Sequence, residues 1–392
     1  MKKIIFVFLI SSLFSSAWAQ GKIPIEYYSH IYLKGSLNGT AVSNFVFDTG
    51  AHDLYIDSCY YAESGLEFVK LANANLPGAG TGLQKVKVVM DKLSYAFSDN
   101  VYHPKYGVLF HLRPILGDFA DGIVGKNYFE NQCLEVNYEK KYMKKYSSIS
   151  DIDLDGYKKL AGKNVDGKFL YPLTLRVTDK IIINDYFTLD LGSASAVIVN
   201  SLVAKKYDLD NNINKKVKFY TTQGGVGGDS QSYSFIIPEV SIAGYTLKNV
   251  DASYSVDKAG ALAATTNAGL LGNLILERFS IIMDFKNNNL YLKPRENFNK
   301  PFDQTTYGFS FSNRYKTGDG YWEVNGFYEG LPTEASGLKI GDKIIEVNGI
   351  PVKDISTFEK ESGILRNDTL LLKIERKDAP LHIKITKENL FK

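Results

Sequence analysis

Phe45-Val46-Phe47-Asp48-Thr49-Gly50-Ala51 is an apolar run that ends in a carboxylate, a hydroxyl, a glycine and a small residue. About 140 residues later comes Phe187-Thr188-Leu189-Asp190-Leu191-Gly192-Ser193. The β-branched and aromatic lead-in predicts a strand at each place, and the glycine a sharp turn at its end. Read alone, Asp48 is an Asx-type turn residue closing a hairpin. Read as a pair, the two stretches predict a duplicated fold that brings two carboxylates together.

The spacing supports duplication. Asp48 lies 77 residues before Gly125 in Asp121-Gly122-Ile123-Val124-Gly125, and Asp190 lies 82 residues before Gly272 in Gly269-Leu270-Leu271-Gly272. Beyond those glycines the tails align without gaps, Gly125 to Glu130 with Gly272 to Glu277 and Val136-Asn137-Tyr138 with Met283-Asp284-Phe285. Each half also carries a glycine-rich hairpin tip, Gly78 to Gly82 and Gly224 to Gly228. No Gly-Lys-Ser/Thr follows the first tip, which argues against a phosphate loop.

Around this core the chain divides into segments. Residues 1–19 have a Lys2-Lys3 start, an apolar stretch too short to span a bilayer and Ala17-Trp18-Ala19 before Gln20, the pattern of a secretory signal. No later run of about 20 apolar residues exists, so a soluble, exported, periplasmic or secreted protein without a membrane anchor is expected. The first lobe is placed at 22–145, the second at 146–298 and a small module at 304–392. Glu139 to Lys168 is polar and reads as a linker, as does Pro294 to Asp303. In the module, Ile355 to Ile364 reads as a short helix, with late strands at Leu370 to Ile374 and Leu381 to Ile385.

The net charge of +3, about +1 without residues 1–19, gives no reason to expect nucleic acid as a partner. Cys59 and Cys133 are too few for a disulfide scaffold; an exported chain could bridge them, and two buried free thiols are the alternative. His30, His52, His103, His111 and His382 show no metal-ligand spacing, and no cofactor or metal is expected. His52 is read as a surface residue near the first turn, and Asp118 and Asp121 as turn residues. Ser193 and Ser195 lie in no serine-hydrolase motif.

Two carboxylates held close cannot both ionise easily and share a proton, so one serves as base and the other as acid. The stretch Phe47 to Ala51 resembles the active-site motif of aspartic proteases, of the retropepsin-like and pepsin-like types, and the resemblance covers about residues 23–295. It implies a mainly β fold of two duplicated aspartic-protease-type β-barrel lobes, with Asp48 and Asp190 catalytic and Thr49, Gly50, Gly192 and Ser193 in support. Gly78, Gly80, Gly82, Gly225 and Gly227 then belong to flaps over a polypeptide substrate. In this family a Thr or Ser usually follows each Asp and the two hydroxyls brace the lobes against each other. Leu191 cannot do so, which leaves Thr49 in need of another partner. Ser193 stands where many members carry a Ser bonded to the outer carboxylate oxygen. Gly337-Leu-Lys-Ile-Gly-Asp-Lys-Ile-Ile-Glu-Val-Asn-Gly349 resembles the centre of a bacterial PDZ domain, a small α+β fold. Gly308, Phe309, Ser310 and Phe311 then form its loop for a peptide or C-terminus. The resemblance implies an aspartic-type endopeptidase. The alternative is a non-catalytic peptide-binding protein of the cell envelope with a degraded protease site.

Overall fold

The computed structural model describes residues 21–78, 82–225, 228–376 and 380–391. Both Asp-bearing stretches form interior strands. Ser43–Asp48 lies between the antiparallel strand His30–Leu37 and the parallel strand Gly122–Gly125, with Gly125 level with Asp48. Phe45, Val46 and Phe47 are buried, as the unbroken apolar run requires for a strand covered on both faces. Gly122 is obligatory here: a Cβ would overlap the Phe45 ring and the Tyr55 carbonyl. The second half repeats the device. Ile182–Leu189 pairs with Lys168–Arg176 and, in parallel, with Gly269–Leu271, while Val197–Val199 runs antiparallel to the latter as Leu54–Asp57 does to Gly122–Gly125.

The halves meet in a six-stranded sheet. Cys133–Asn137 and Phe279–Asp284, which contain or adjoin the tail segments aligned in sequence, pair antiparallel at its middle. Tyr142–Tyr146 flanks one and Asn289–Pro294 the other. Lys158–Ala161 extends this sheet and Lys163–Val165 joins the sheet of the second lobe, so Glu139 to Lys168 is not a linker. Lys158, Lys159 and Lys163 are exposed, and their polar character hid two short strands that are held by their backbone ladders. Cys133 is buried in this sheet and Cys59 lies in the helix Ser58–Glu63; both are free thiols, so no bridge forms.

The C-terminal module packs its own core of Trp322, Val324, Ile344, Val347, Leu370, Leu372 and Ile374. Its helix Phe358–Leu365 is capped by Thr357, and its late strands are Thr369–Glu375 and Leu381–Thr386. The strands Phe309–Arg314 and Tyr321–Tyr328 form an antiparallel pair. The module is bonded to both lobes. Tyr321–Tyr328 adds to the second lobe's strand Lys216–Thr221, merging the sheets. On the first lobe, Phe358 lies against Tyr28, Tyr32 and Phe119, while Asp118 N–H donates to Asn313 O at 2.7 Å. Asp118 is fully buried against Arg314 (3.1 Å) and Arg113 (3.7 Å). It is therefore more than a turn residue: it joins lobe to module. Among the described residues no helix is long and apolar enough to cross a membrane.

Candidate active site

Asp48 and Asp190 end their strands at the lobe boundary, both partly exposed, and their carboxyls lie side by side across the two turns, close enough for each to act on the other. The turns aim backbone donors at them. Asp48 Oδ1 accepts from Gly50 N–H at 2.6 Å and Ala51 N–H at 3.2 Å; Asp190 Oδ1 accepts from Gly192 N–H at 2.9 Å. A Cβ on Gly192 would overlap the Asp48 carboxylate, whereas one on Gly50 would reach 3.0 Å from Asp48 Oδ1 and 3.3 Å from Asp190 Oδ1. Each glycine thus leaves room for the dyad, Gly192 with the tighter constraint.

Burial raises both carboxyls above the usual range. For Asp48 the backbone donors, Asp190 and the Lys126 ammonium pull the other way. Asp190 is driven well above, by burial and then by the charge of Asp48 beside it. The pair therefore holds a proton where isolated carboxylates would have lost theirs, and it titrates as a unit.

Thr49 is buried and needs no substitute for a second hydroxyl. Its Oγ1 donates to Leu189 O at 2.8 Å and accepts from Leu191 N–H at 2.9 Å, so both bonds cross to main-chain atoms of the other lobe. Leu191 contributes its N–H while its side chain lies fully in the core. The Leu191 carbonyl is held by Asn273 Nδ2 at 2.7 Å, which also reaches Ser29 O at 3.1 Å, while Tyr138 donates to Asn273 Oδ1 at 3.0 Å. Ser193 departs from expectation: its hydroxyl pairs with Ser195 Oγ at 2.7 Å instead of with the Asp190 carboxyl. The Gly-Ser-Ala-Ser turn places two hydroxyls within reach of each other first.

The sequence reading passed over several neighbours. His30 lies beside the Gly192 backbone, and burial lowers its imidazole to about 4. Tyr55 is raised to about 12, by burial and then by Asp48. Lys126 is buried beside the dyad. Asn273 and Lys126 occupy matched places one residue past the aligned glycines, a signal present in the repeat. His52 is exposed, as read from sequence.

The glycine tips differ. Gly80 and Gly227 lie outside the described residues. Gly78 O accepts from Ala261 N–H at 2.9 Å, so the tip of the hairpin Leu71–Pro77 and Leu83–Val89 touches the second lobe; Gly82 follows at its far side. The second hairpin is no free flap. Its strand Lys216–Thr221 is laddered to the module, Thr222 N–H donates to Asn325 O at 2.9 Å, and Gly225 lies just beyond at φ +96°. Among the described residues no hydrogen bond links either tip to the dyad. In the module, Gly308 turns at φ +80°, with its N–H on Thr306 Oγ1 at 3.0 Å. Phe309 enters the core, Ser310 donates to Asn325 Oδ1 at 2.6 Å and Phe311 stacks on Trp322 at 4.0 Å. These side chains serve the fold, so any peptide recognition there falls to the backbone.

A search of curated proteins finds no match. Among solved structures the chain is similar to the crystal structure of the aspartic proteinase from Irpex lacteus, at 13% identity and TM-score 0.45, over 71% of this chain and 98% of that one. The family model described as the PDZ domain matches residues 297–375. The C-terminal module is a PDZ domain.

Proposed function

We propose that the chain is an aspartic-type endopeptidase in which Asp48 and Asp190 share a proton around one water. The observation that carries this is the meeting of the two carboxyls across the Gly50 and Gly192 turns, each at the end of a matched strand. Asp48, with two N–H donors, is the ionised base; Asp190 is the protonated acid. Asp48 takes a proton from water as the water oxygen bonds to the scissile carbonyl carbon, and Asp190 gives its proton to the carbonyl oxygen. In the collapse of the resulting gem-diol the C–N bond breaks, Asp48 gives the leaving nitrogen the proton it took from water, and Asp190 takes back a proton from a gem-diol hydroxyl as the product C=O forms, which restores the dyad. Substrate is polypeptide, and the PDZ domain adds peptide or C-terminal binding. Residues 1–19 are taken as an export signal that delivers the protein to the periplasm or the medium.

Cleavage of a peptide library by the protein lacking residues 1–19, from acidic to neutral pH beside Asp48→Asn and Asp190→Asn, is the test. Loss of cleavage in both variants is expected, and full cleavage by either would end the assignment. Leu191 in place of a hydroxyl residue favours one other reading, a peptide-binding protein that does not cut. It requires that the parent bind peptide without cleavage and that both variants bind equally.

A further inference from the structure

Lys126 follows Gly125, the glycine level with Asp48, and its backbone N–H donates to Ala51 O at 3.1 Å, which ties it to the Asp48 turn. Its side chain is only 4% exposed, and Nζ has neither solvent contact nor a hydrogen-bond partner among the described residues. An ammonium in that state needs a nearby negative charge to remain ionised. The ionisable groups that act on it are Asp48 first, then Lys168 and Asp190, and it acts in turn on His52. Asp53, the other carboxylate near this turn, is already held by Tyr102 at 2.5 Å and Asn127 at 3.2 Å. The carboxyls that act on Lys126 are thus those of the dyad. The matched residue of the second lobe, Asn273, is neutral and fully bonded.

Building on the hydrolytic reading, we propose that Lys126 is a positioning residue of the dyad: its ammonium is the counter-charge of the singly ionised pair and draws the negative charge to Asp48, leaving the proton on Asp190. The cation opposes the effect of burial on both carboxyls and lies on the first-lobe side, where its coupling to Asp48 is the stronger. Lys168 and His52 set limits on the effect. Lys168 is a second cation that disfavours the Lys126 charge, and His52 is exposed, where solvent weakens its influence. Burial lowers Lys126 itself to about 8, so its charge persists through the acidic and neutral range and fades above it.

The test uses the chain without residues 1–19, labelled with ¹³C at the Asp carboxyls and at Lys Cε, and followed by NMR across pH. Replacing Lys126 by Met should move both apparent ionisations of the dyad upward by about one pH unit, a tenfold change in each equilibrium. Lys126→Arg should leave them near the parent's. Reciprocally, Asp48→Asn should lower the titration of Lys126 by a similar amount, since a coupling between two sites is felt equally by both. This second measurement keeps the proposal exposed if Lys126→Met does not fold. Dyad ionisations unmoved in a folded Lys126→Met protein, or a Lys126 titration unmoved in Asp48→Asn, would overturn it. The shifts do not depend on turnover. Expected shifts without peptide cleavage by the parent would sink the hydrolytic reading and keep the coupling; cleavage with unmoved titrations would do the reverse. Where cleavage is present, its pH–rate profile should move upward in Lys126→Met with the ionisations.

Discussion

The two lobes carry the same strand, turn and glycine but complete them differently. In the first, a Thr follows the Asp, two backbone donors serve its carboxylate, and the matched glycine is followed by a buried lysine whose ammonium has no hydrogen-bond partner among the described residues. In the second, a Leu follows the Asp, one donor serves the carboxylate and a fully bonded asparagine takes the matched place. The lobes also hold the PDZ domain by different means. The first relies mainly on buried and half-buried side chains, Asp118, Tyr28 and Phe119 against Arg314, Glu361 and Phe358. The second uses a backbone ladder between Lys216–Thr221 and Tyr321–Tyr328. The difference teaches that a duplicated scaffold needs only one hydroxyl to brace the site. A threonine that bonds main-chain atoms makes no demand on the residue opposite.

The largest effect expected is on chemistry. Asp48→Asn and Asp190→Asn should each lower peptide cleavage about 10⁴-fold, and the double variant little further, because the two act as a unit. A rate for the double variant equal to the product of the single losses would show independent groups.

The glycines come next. Gly192→Ala places a methyl group against the Asp48 carboxylate, and a displacement of about 1 Å costs on the order of 10²-fold in rate. Gly50→Ala, with 3.0 Å to Asp48 Oδ1, should cost less. Equal losses in the two rate constants would erase this asymmetry between the lobes.

The PDZ joints differ in their response to pH. Glu361 is 6% exposed, accepts from Asn313 at 2.5 Å and from Tyr28 at 3.3 Å, and is raised by burial from its ordinary 4.5 to about 7. The folded protein therefore holds this proton more tightly than the unfolded chain. The stabilisation is complete below about 4.5 and is lost as pH rises to about 7, in total roughly 3 kcal/mol. Glu361→Gln should flatten this part of the stability curve, measured by denaturant unfolding between pH 4 and 8. At the second-lobe ladder, Asp251 beside Tyr328 is also raised by burial, to about 6, so an unchanged slope in the Glu361 variant would place the dependence there or elsewhere.

A smaller change is expected at the brace. Thr49→Val removes the partner of Leu189 O and Leu191 N–H inside the lobe boundary and should cost about 2 kcal/mol, while Thr49→Ser should cost less, since it keeps the hydroxyl. Equal unfolding free energies for Thr49→Val and the parent would mean that the second lobe compensates.

The Asp-Thr-Gly stretch, its weaker repeat and the even spacing to Gly125 and Gly272 were legible because strands and turns have local signatures, and so was the PDZ segment from Gly337 to Gly349. The partners of Thr49 were not legible. They are main-chain atoms of Leu189 and Leu191, and any residue supplies a carbonyl and an N–H. Lys126 was visible as a letter but not as a charge beside the dyad, since its burial is a property of the packed chain. Asp118 read as a turn residue for the same reason: Arg314 reaches it from almost 200 residues away in the chain. Cys59 and Cys133 could be paired on paper, yet one lies in a helix of the first lobe and the other in the sheet shared by both lobes.

By itself, then, the sequence determined the strand-turn units, their duplication and the chemical groups at their tips, all of which follow from neighbours a few residues apart. Only the tertiary structure decided that the two carboxyls meet, that one threonine braces both lobes and that the PDZ domain is fastened to each lobe. Burial, desolvation and hydrogen bonding across long separations are properties of the packed chain, and these are the terms that set the charge of the dyad.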